Sequence, residues 1–285
     1  MLEIKNLWEQ LEHELGEPDS YGGHMSIEYR RFSSLVADTS KNFDELRALV
    51  EFVMKGGMLQ LTGALELDLV NKIKINTVEF WDSRPSEFYK MMGYTPNFHR
   101  VIDDDVAKNY SFYALKHSAY CFPWNEDFTG AREAIMGVWR DIKAFMGLDR
   151  FAYEGNTPDD GVVDRIQVAL YPSGAGELEA HTDPKHNQRL IISGYLSKRG
   201  EEYNSGGFFA LDSAGQKIDL EDRIELGSFA VMHACVRHGV SAIDPGTDLV
   251  NEASGYRTRG RWFLGLYSND SDAVANRKTA KSVVE

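Results

Sequence analysis

Apolar residues recur at helical spacing in three places. Leu2, Leu7, Leu11 and Leu15 lie along one side of "MLEIKNLWEQLEHELGE". The run "NFDELRALVEFVMKGG" has acids in its first turn, Leu46, Leu49, Val50 and Val53 on one face, and a glycine pair where a helix would stop. "FTGAREAIMGVWRDIKAFMG" repeats that plan, with Thr129 as N-cap, Ile135, Val138, Trp139, Ile142 and Phe145 on a broad face, and Gly147 as the stop. Two other stretches read as strands. "NKIKINTVEF" at 71–80 alternates, and the aromatic-rich "NYSFYALKHSAYCFPW" at 109–124 predicts a strand running into a loop. Its aromatic residues read as core or helix-to-sheet packing rather than as a substrate box.

After "NTPDDG" at 156–161 the texture changes to short apolar runs broken by Gly, Pro, Asn and Asp. Strands are expected near 163–171, 188–197, 207–211, 228–238 and 258–267. Such spacing favours an antiparallel sandwich or barrel over βαβ units, and helices preceding sheet make the class α+β. The 285 residues are read as one domain, 1–285. Within it, 1–158 is mainly helical with a few strands joining the core, 159–270 is the sheet core, and 271–285 is a tail whose "NRKTAKSVVE" is expected to be loosely ordered.

Charge narrows the partners. With Lys and Arg totalling 31 against 44 Asp and Glu, the net charge is −13, which repels phosphates, and no basic block offsets it. No nucleic-acid partner is therefore expected. Apolar runs such as "FAVM" are far too short to cross a bilayer, so no membrane partner is expected either. The acidic amphipathic start lacks the pattern of a secretory signal, which points to the cytoplasm. Cys121 and Cys235 form no CxxC pair and read as buried thiols. Any bound anion must be caught by locally placed cations, so arginines inside apolar strands stand out. Oligomeric state is not legible.

"AHTDPKHNQRLIISGYL" (180–196) carries the chemistry. Side chains at i and i+2 of a strand share a face, so His181 and Asp183 can converge, and Pro184 suits the pair to a strand end. A metal needs at least one more donor, and His186, His233 and His238 are the candidates. If "SFAVMHACVRHGV" is one strand, His233 and His238 point to opposite faces. His238 is the better partner, while His233 and His186 read as packed or solvated. Two imidazoles and one carboxylate leave further positions open, the arrangement expected of non-haem Fe(II) that must also bind a cosubstrate and O₂.

In order along the chain stand "QVALYPSGAGELEAHTD", "RLIISGYLS", "SGGFFAL" and "GSFAVMHACVRHGV". This series, with Tyr171, Gly174, His181, Asp183, Arg189, Tyr195, Leu196, Gly206, Gly207, Gly227, His238 and Val240, resembles the Fe(II)/2-oxoglutarate dioxygenases, and most nearly their prolyl-4-hydroxylase-like branch. The likeness covers roughly residues 163 to 267. It implies a double-stranded β-helix, the jelly-roll or cupin-like core, with the N-terminal helices packed on one sheet. It also implies His181, Asp183 and His238 as metal ligands and catalytic centre, the Tyr171 hydroxyl at the cosubstrate, and an arginine gripping its far carboxylate. Arg257, Arg259 and Arg261 share strand parity. Arg259 is favoured because, measured back from Gly265, it falls near the family's position, and Arg261 stands next; the stretch "SAIDPGTDLVNEASGY" between His238 and these arginines departs from the family's pattern and leaves the choice among the three open.

The implied activity is hydroxylation of an unactivated C–H bond of a small molecule, such as an amino acid or biosynthetic intermediate. Fe(II), 2-oxoglutarate and O₂ are the implied cofactors, with ascorbate as a stimulant, and succinate and CO₂ the coproducts. Desaturation, cyclisation and peptide hydroxylation use the same ligands. Two rival classes remain on the residues alone: a zinc hydrolase built on the same three side chains, and a non-catalytic jelly-roll binding protein.

Overall fold

The computed structural model describes residues 2–22, 27–35, 42–247 and 258–283. The N-terminal half contributes α1 (Leu2–Leu15), β1 (Ile27–Arg31), α2 (Phe43–Met54), β2 (Met58–Thr62), α3 (Leu67–Asp82), β3 (Phe98–Ile102), α4 (Asp104–Ala107), β4 (Ala114–Cys121) and α5 (Arg132–Phe145). There follow β5 (Val162–Pro172), β6 (Glu177–Thr182), β7 (Leu190–Tyr195), β8 (Gly207–Leu211), β9 (Lys217–Asp219), β10 (Phe229–His233), β11 (His238–Ser241), β12 (Gly260–Asp270) and β13 (Lys281–Ser282).

Strand pairing makes the second half a double-stranded β-helix. One antiparallel sheet runs β5-β12-β7-β10 and the facing one β6-β11-β8-β9. Apart from the β8–β9 hairpin, each successive strand from β5 to β12 crosses to the other sheet, the signature of a jelly roll. The first half widens the larger sheet at both ends, with β2 beside β10 and β4 beside β5. β4 also reaches β6 through Ala114 and Leu115, which stitches the two sheets together.

Alternation along each strand decides what lies on either side of the larger sheet. Ile166, Val168 and Leu170 of β5, with Trp262, Leu264 and Leu266 of β12, face outward into the main core. Helices α1, α2, α3 and α5 cover that face with Trp8, Leu49, Ile73 and Trp139, all essentially inaccessible. The opposite parity, Tyr171 and Phe263 among it, faces the smaller sheet. Among the described residues no helix is long and apolar enough to cross a membrane.

Four expectations need correction. The stretch 71–80 lies within helix α3, which buries Val70, Ile73, Thr77, Phe80 and Trp81 at three- and four-residue spacing. Ile75, which carried the alternation, is exposed. Thr129 is not the N-cap of α5: the helix begins after Ala131, and Asp127 accepts from the backbone N–H groups of both Thr129 and Arg132. The run 228–238 is two strands, because the chain leaves the larger sheet after His233 and enters the smaller one at His238. The tail is tied down, since β13 pairs with β6 and Val283 N–H donates to the Ala180 carbonyl.

A buried ion pair braces α5 against β5. The Lys143 ammonium contacts the Asp164 carboxylate, both wholly inaccessible, and Ser268 donates to the same carboxylate at 2.8 Å. Removing one partner strands the other charge in a low-dielectric core. Lys143→Met is therefore expected to lower the unfolding free energy by about 3–5 kcal/mol. Adding Asp164→Asn should recover most of that loss in urea denaturation, since no charge is then left alone.

Candidate metal centre and cavity

Both histidines of the centre sit in the smaller sheet, directly across from each other: His238 opens β11 in register with His181 near the end of β6. Asp183 follows one residue past Thr182, where β6 ends; its N–H donates to the Ala234 carbonyl at 3.0 Å and its carboxylate turns back between the rings. His181 Nε2 lies 4.0 Å from one Asp183 oxygen and His238 Nε2 lies 3.7 Å from the other. One ligand atom from each of the three residues falls within 4.8 Å of the others.

Local hydrogen bonds fix which nitrogen is offered. His181 Nδ1 is 2.9 Å from the Glu179 carbonyl, and His238 Nδ1 is 2.8 Å from the Val236 carbonyl. A carbonyl can only accept, so both Nδ1 atoms carry hydrogen and both Nε2 lone pairs face the gap. Phe112 stacks on His181 at 4.8 Å and limits its rotation. Burial, and then the neighbouring His238, push the His181 imidazole down to about 4, so it is neutral and ready to ligate at neutral pH. Two neutral imidazoles and one carboxylate on one side suit a divalent first-row metal such as Fe(II), with the opposite side open.

The centre opens into a cavity of about 270 Å³ between the sheets. Arg261 lines it and is itself 1 % exposed. Arg261 stands opposite Tyr171 in the β12–β5 register, and its guanidinium lies 5.9 Å from that ring. Glu221 fixes it, with Arg261 Nε 3.0 and 2.9 Å from the two carboxylate oxygens. Gly207 makes room for Glu221: a Cβ there would come within 2.5 Å of the Glu221 side chain.

The favoured Arg259 stands elsewhere. It is exposed, does not line the cavity, and uses its carbonyl to accept from Ser173 N–H. Strand parity fails for it because β12 begins only at Gly260, where φ is 141° and a Cβ would sit 2.2 Å from the Tyr171 carbonyl oxygen. Arg257 lies outside the described residues. His186 pairs with Asp270 at 2.8 Å, away from the centre.

His233 is also apart, buried with Nδ1 accepting from Cys235 N–H. Burial lowers its pKa to about 4. Unfolded, the ring protonates near 6.5; folded, it resists until about 4. Its contribution is thus complete above about pH 6.5 and lost as pH falls toward 4, a change of about 3 kcal/mol. Urea denaturation between about pH 7 and 4 should show the parent losing that much more stability than His233→Asn.

Other cavity residues escaped the sequence reading. Tyr110, Phe112 and Tyr120 line the cavity rather than serving only as core, whereas Phe122 and Trp124 stack in a small satellite core. Lys116, Arg165 and the tail residue Arg277 also line it. A charged residue inside the apolar strand "VVDRIQVALYP" was the available signal for Arg165. Glu221 had none.

No protein-family model matches the chain, nor does any curated sequence. Solved structures do. A Pseudomonas putida prolyl-4-hydroxylase is 14% identical with a TM-score of 0.46, over 83% of this chain and 97% of that one. A full-length Neurospora crassa protein in complex with alpha-KG is 15% identical with a TM-score of 0.48, over 86% of each chain. A Trichoplax adhaerens prolyl hydroxylase in complex with a hypoxia inducible factor peptide fragment is 13% identical with a TM-score of 0.47, over 82% of this chain and 96% of that one.

Proposed function

We propose that the protein is an Fe(II)/2-oxoglutarate-dependent oxygenase that hydroxylates an unactivated C–H bond of a small molecule. The observation that carries this reading is the convergence of His181, Asp183 and His238, Nε2 atoms inward, at the wall of a cavity that also holds a buried arginine. Iron with 2-oxoglutarate and O₂ supplies the oxidation: the cosubstrate leaves as succinate and CO₂, and one oxygen atom enters the substrate C–H bond.

The protein's own residues bind, orient and exclude. His181, Asp183 and His238 would hold the metal. Arg261, kept in place by Glu221, would offer its guanidinium to the far carboxylate of 2-oxoglutarate, with Tyr171, opposite it in the β12–β5 register, proposed to help. The surrounding Phe263 and Phe208 keep that end dry, which strengthens the ion pair. A cavity of about 270 Å³ lies at the small end for ligand pockets and supports a metabolite-sized substrate. Among the described residues lining it, Asp183 is the only acid, which leaves a hydrolase no second carboxylate as general base.

The test is aerobic incubation of the full chain with Fe(II), 2-oxoglutarate, ascorbate and a metabolite library. Succinate release coupled to a product one oxygen heavier is expected. Succinate no higher than in a metal-free control, for every library member, would sink the reading.

A further inference from the structure

The end of the cavity away from Arg261 holds a second guanidinium, that of Arg165, with no ion-pair partner among the described residues. Arg165 stands opposite Tyr267 on β12, six residues along from Arg261, or about 20 Å of strand at ~3.4 Å per residue. Its guanidinium is clamped between two rings, 5.2 Å from Tyr120 and 5.0 Å from Tyr267. Its Nε is buried without a hydrogen-bond partner, and no carboxylate among the described residues pairs with it.

Two further orphaned atoms belong to residues of the same cavity: Asn269 Oδ1, on the same face of β12 as Tyr267, and Arg277 Nε from the tail. Arg277 spends another nitrogen on Asp272. Lys116 also lines the cavity, its ammonium 5.8 Å from the Tyr171 ring, and has no ion-pair partner among the described residues. Its pKa is lowered to about 8 by burial and then by Arg165, and that of Arg165 is lowered chiefly by burial. A chain of net charge −13 thus gathers three partly buried cations around one cavity, where Asp183 is the only lining acid among the described residues.

A purely structural role does not account for this. Ring stacking would hold a guanidinium equally well with its donors satisfied, whereas a buried N–H left without a hydrogen bond costs stability. Counted along the strands, Arg165 is set about 20 Å from Arg261, beyond the carboxylate that Arg261 is proposed to hold. We infer that the cavity binds a small substrate carrying a carboxylate, held by Arg165 with Arg277 beside it and with Asn269 meeting a neighbouring polar group. The guanidinium edge, with its parallel N–H donors, matches a planar carboxylate in a two-point contact. Calling the bound acid a substrate rests on the oxygenase reading; the anion site itself does not.

The experiment uses the full chain with Mn(II) and saturating 2-oxoglutarate under nitrogen. Calorimetry compares small amino and hydroxy acids with their primary amides. Acids are expected to bind at least about tenfold more tightly than amides, Arg165→Gln to abolish that preference while 2-oxoglutarate affinity is unchanged, and Arg165→Lys to keep part of it. Equal binding of acids and amides, or a preference that survives Arg165→Gln, overturns the inference. Acid binding lost in Arg165→Gln, in a protein that fails to bind 2-oxoglutarate at all, contradicts the oxygenase reading and leaves the anion site standing.

Discussion

Asp183→Ala is expected to abolish succinate formation while leaving the protein folded. Among the described residues the Asp183 side chain is a partner in no hydrogen bond of the fold; its near neighbours are the two imidazoles at 3.7 and 4.0 Å. Its backbone N–H, which ties the strand end to Ala234, survives the substitution. Stability should therefore change by less than about 1 kcal/mol, as for residues outside core and network. Two neutral imidazoles cannot offset the charge of a divalent metal as the carboxylate does. A succinate assay beside a circular-dichroism melt checks both halves. Turnover close to the parent's would remove Asp183 from the centre.

The second large effect falls on the cosubstrate. Replacing Arg261 alone would leave Glu221 buried and charged, so the informative variant is the double Arg261→Gln/Glu221→Gln, which strands neither group. Loss of a buried charge-assisted contact costs about 2–5 kcal/mol, so KM for 2-oxoglutarate should rise by roughly 30- to several thousand-fold. Arg259→Gln, at an exposed position outside the cavity, should leave KM within about twofold. The reverse pattern in steady-state kinetics would return the anchor to Arg259.

The difference between those two arginines shows how far the sequence could be read. His-x-Asp at a strand end and a distant histidine were legible, because their chemistry and order along the chain are local facts. Reading 228–238 as one strand, parity excludes His233 and His238 facing inward together, and spacing from His181 and the motif favour His238. The chain places the two in different sheets, so the choice stood on the motif and not on the parity. Arg259 was favoured by its distance from Gly265, a count that takes the strand as continuous, whereas Gly260 turns the backbone where β12 begins and Arg259 lies exposed outside the cavity.

Short apolar runs of the jelly roll announced themselves through their turns. By contrast, the alternation at 71–80 covered too few residues to outweigh the longer helical spacing from Val70 to Trp81. Glu221 and Arg277 reach the cavity or its arginine only through tertiary placement, Glu221 from the turn after β9 and Arg277 from a tail pinned by β13. Neither position carries a pattern in its own neighbourhood that would mark it.

Equilibrium dialysis of Fe(II) against the full chain under nitrogen tests the three-residue centre most directly. One ion per chain is expected in the parent, lost or greatly weakened in His181→Ala, Asp183→Ala and His238→Ala alike. A parent that retains no iron, or a His238→Ala variant that retains as much as the parent, would contradict it.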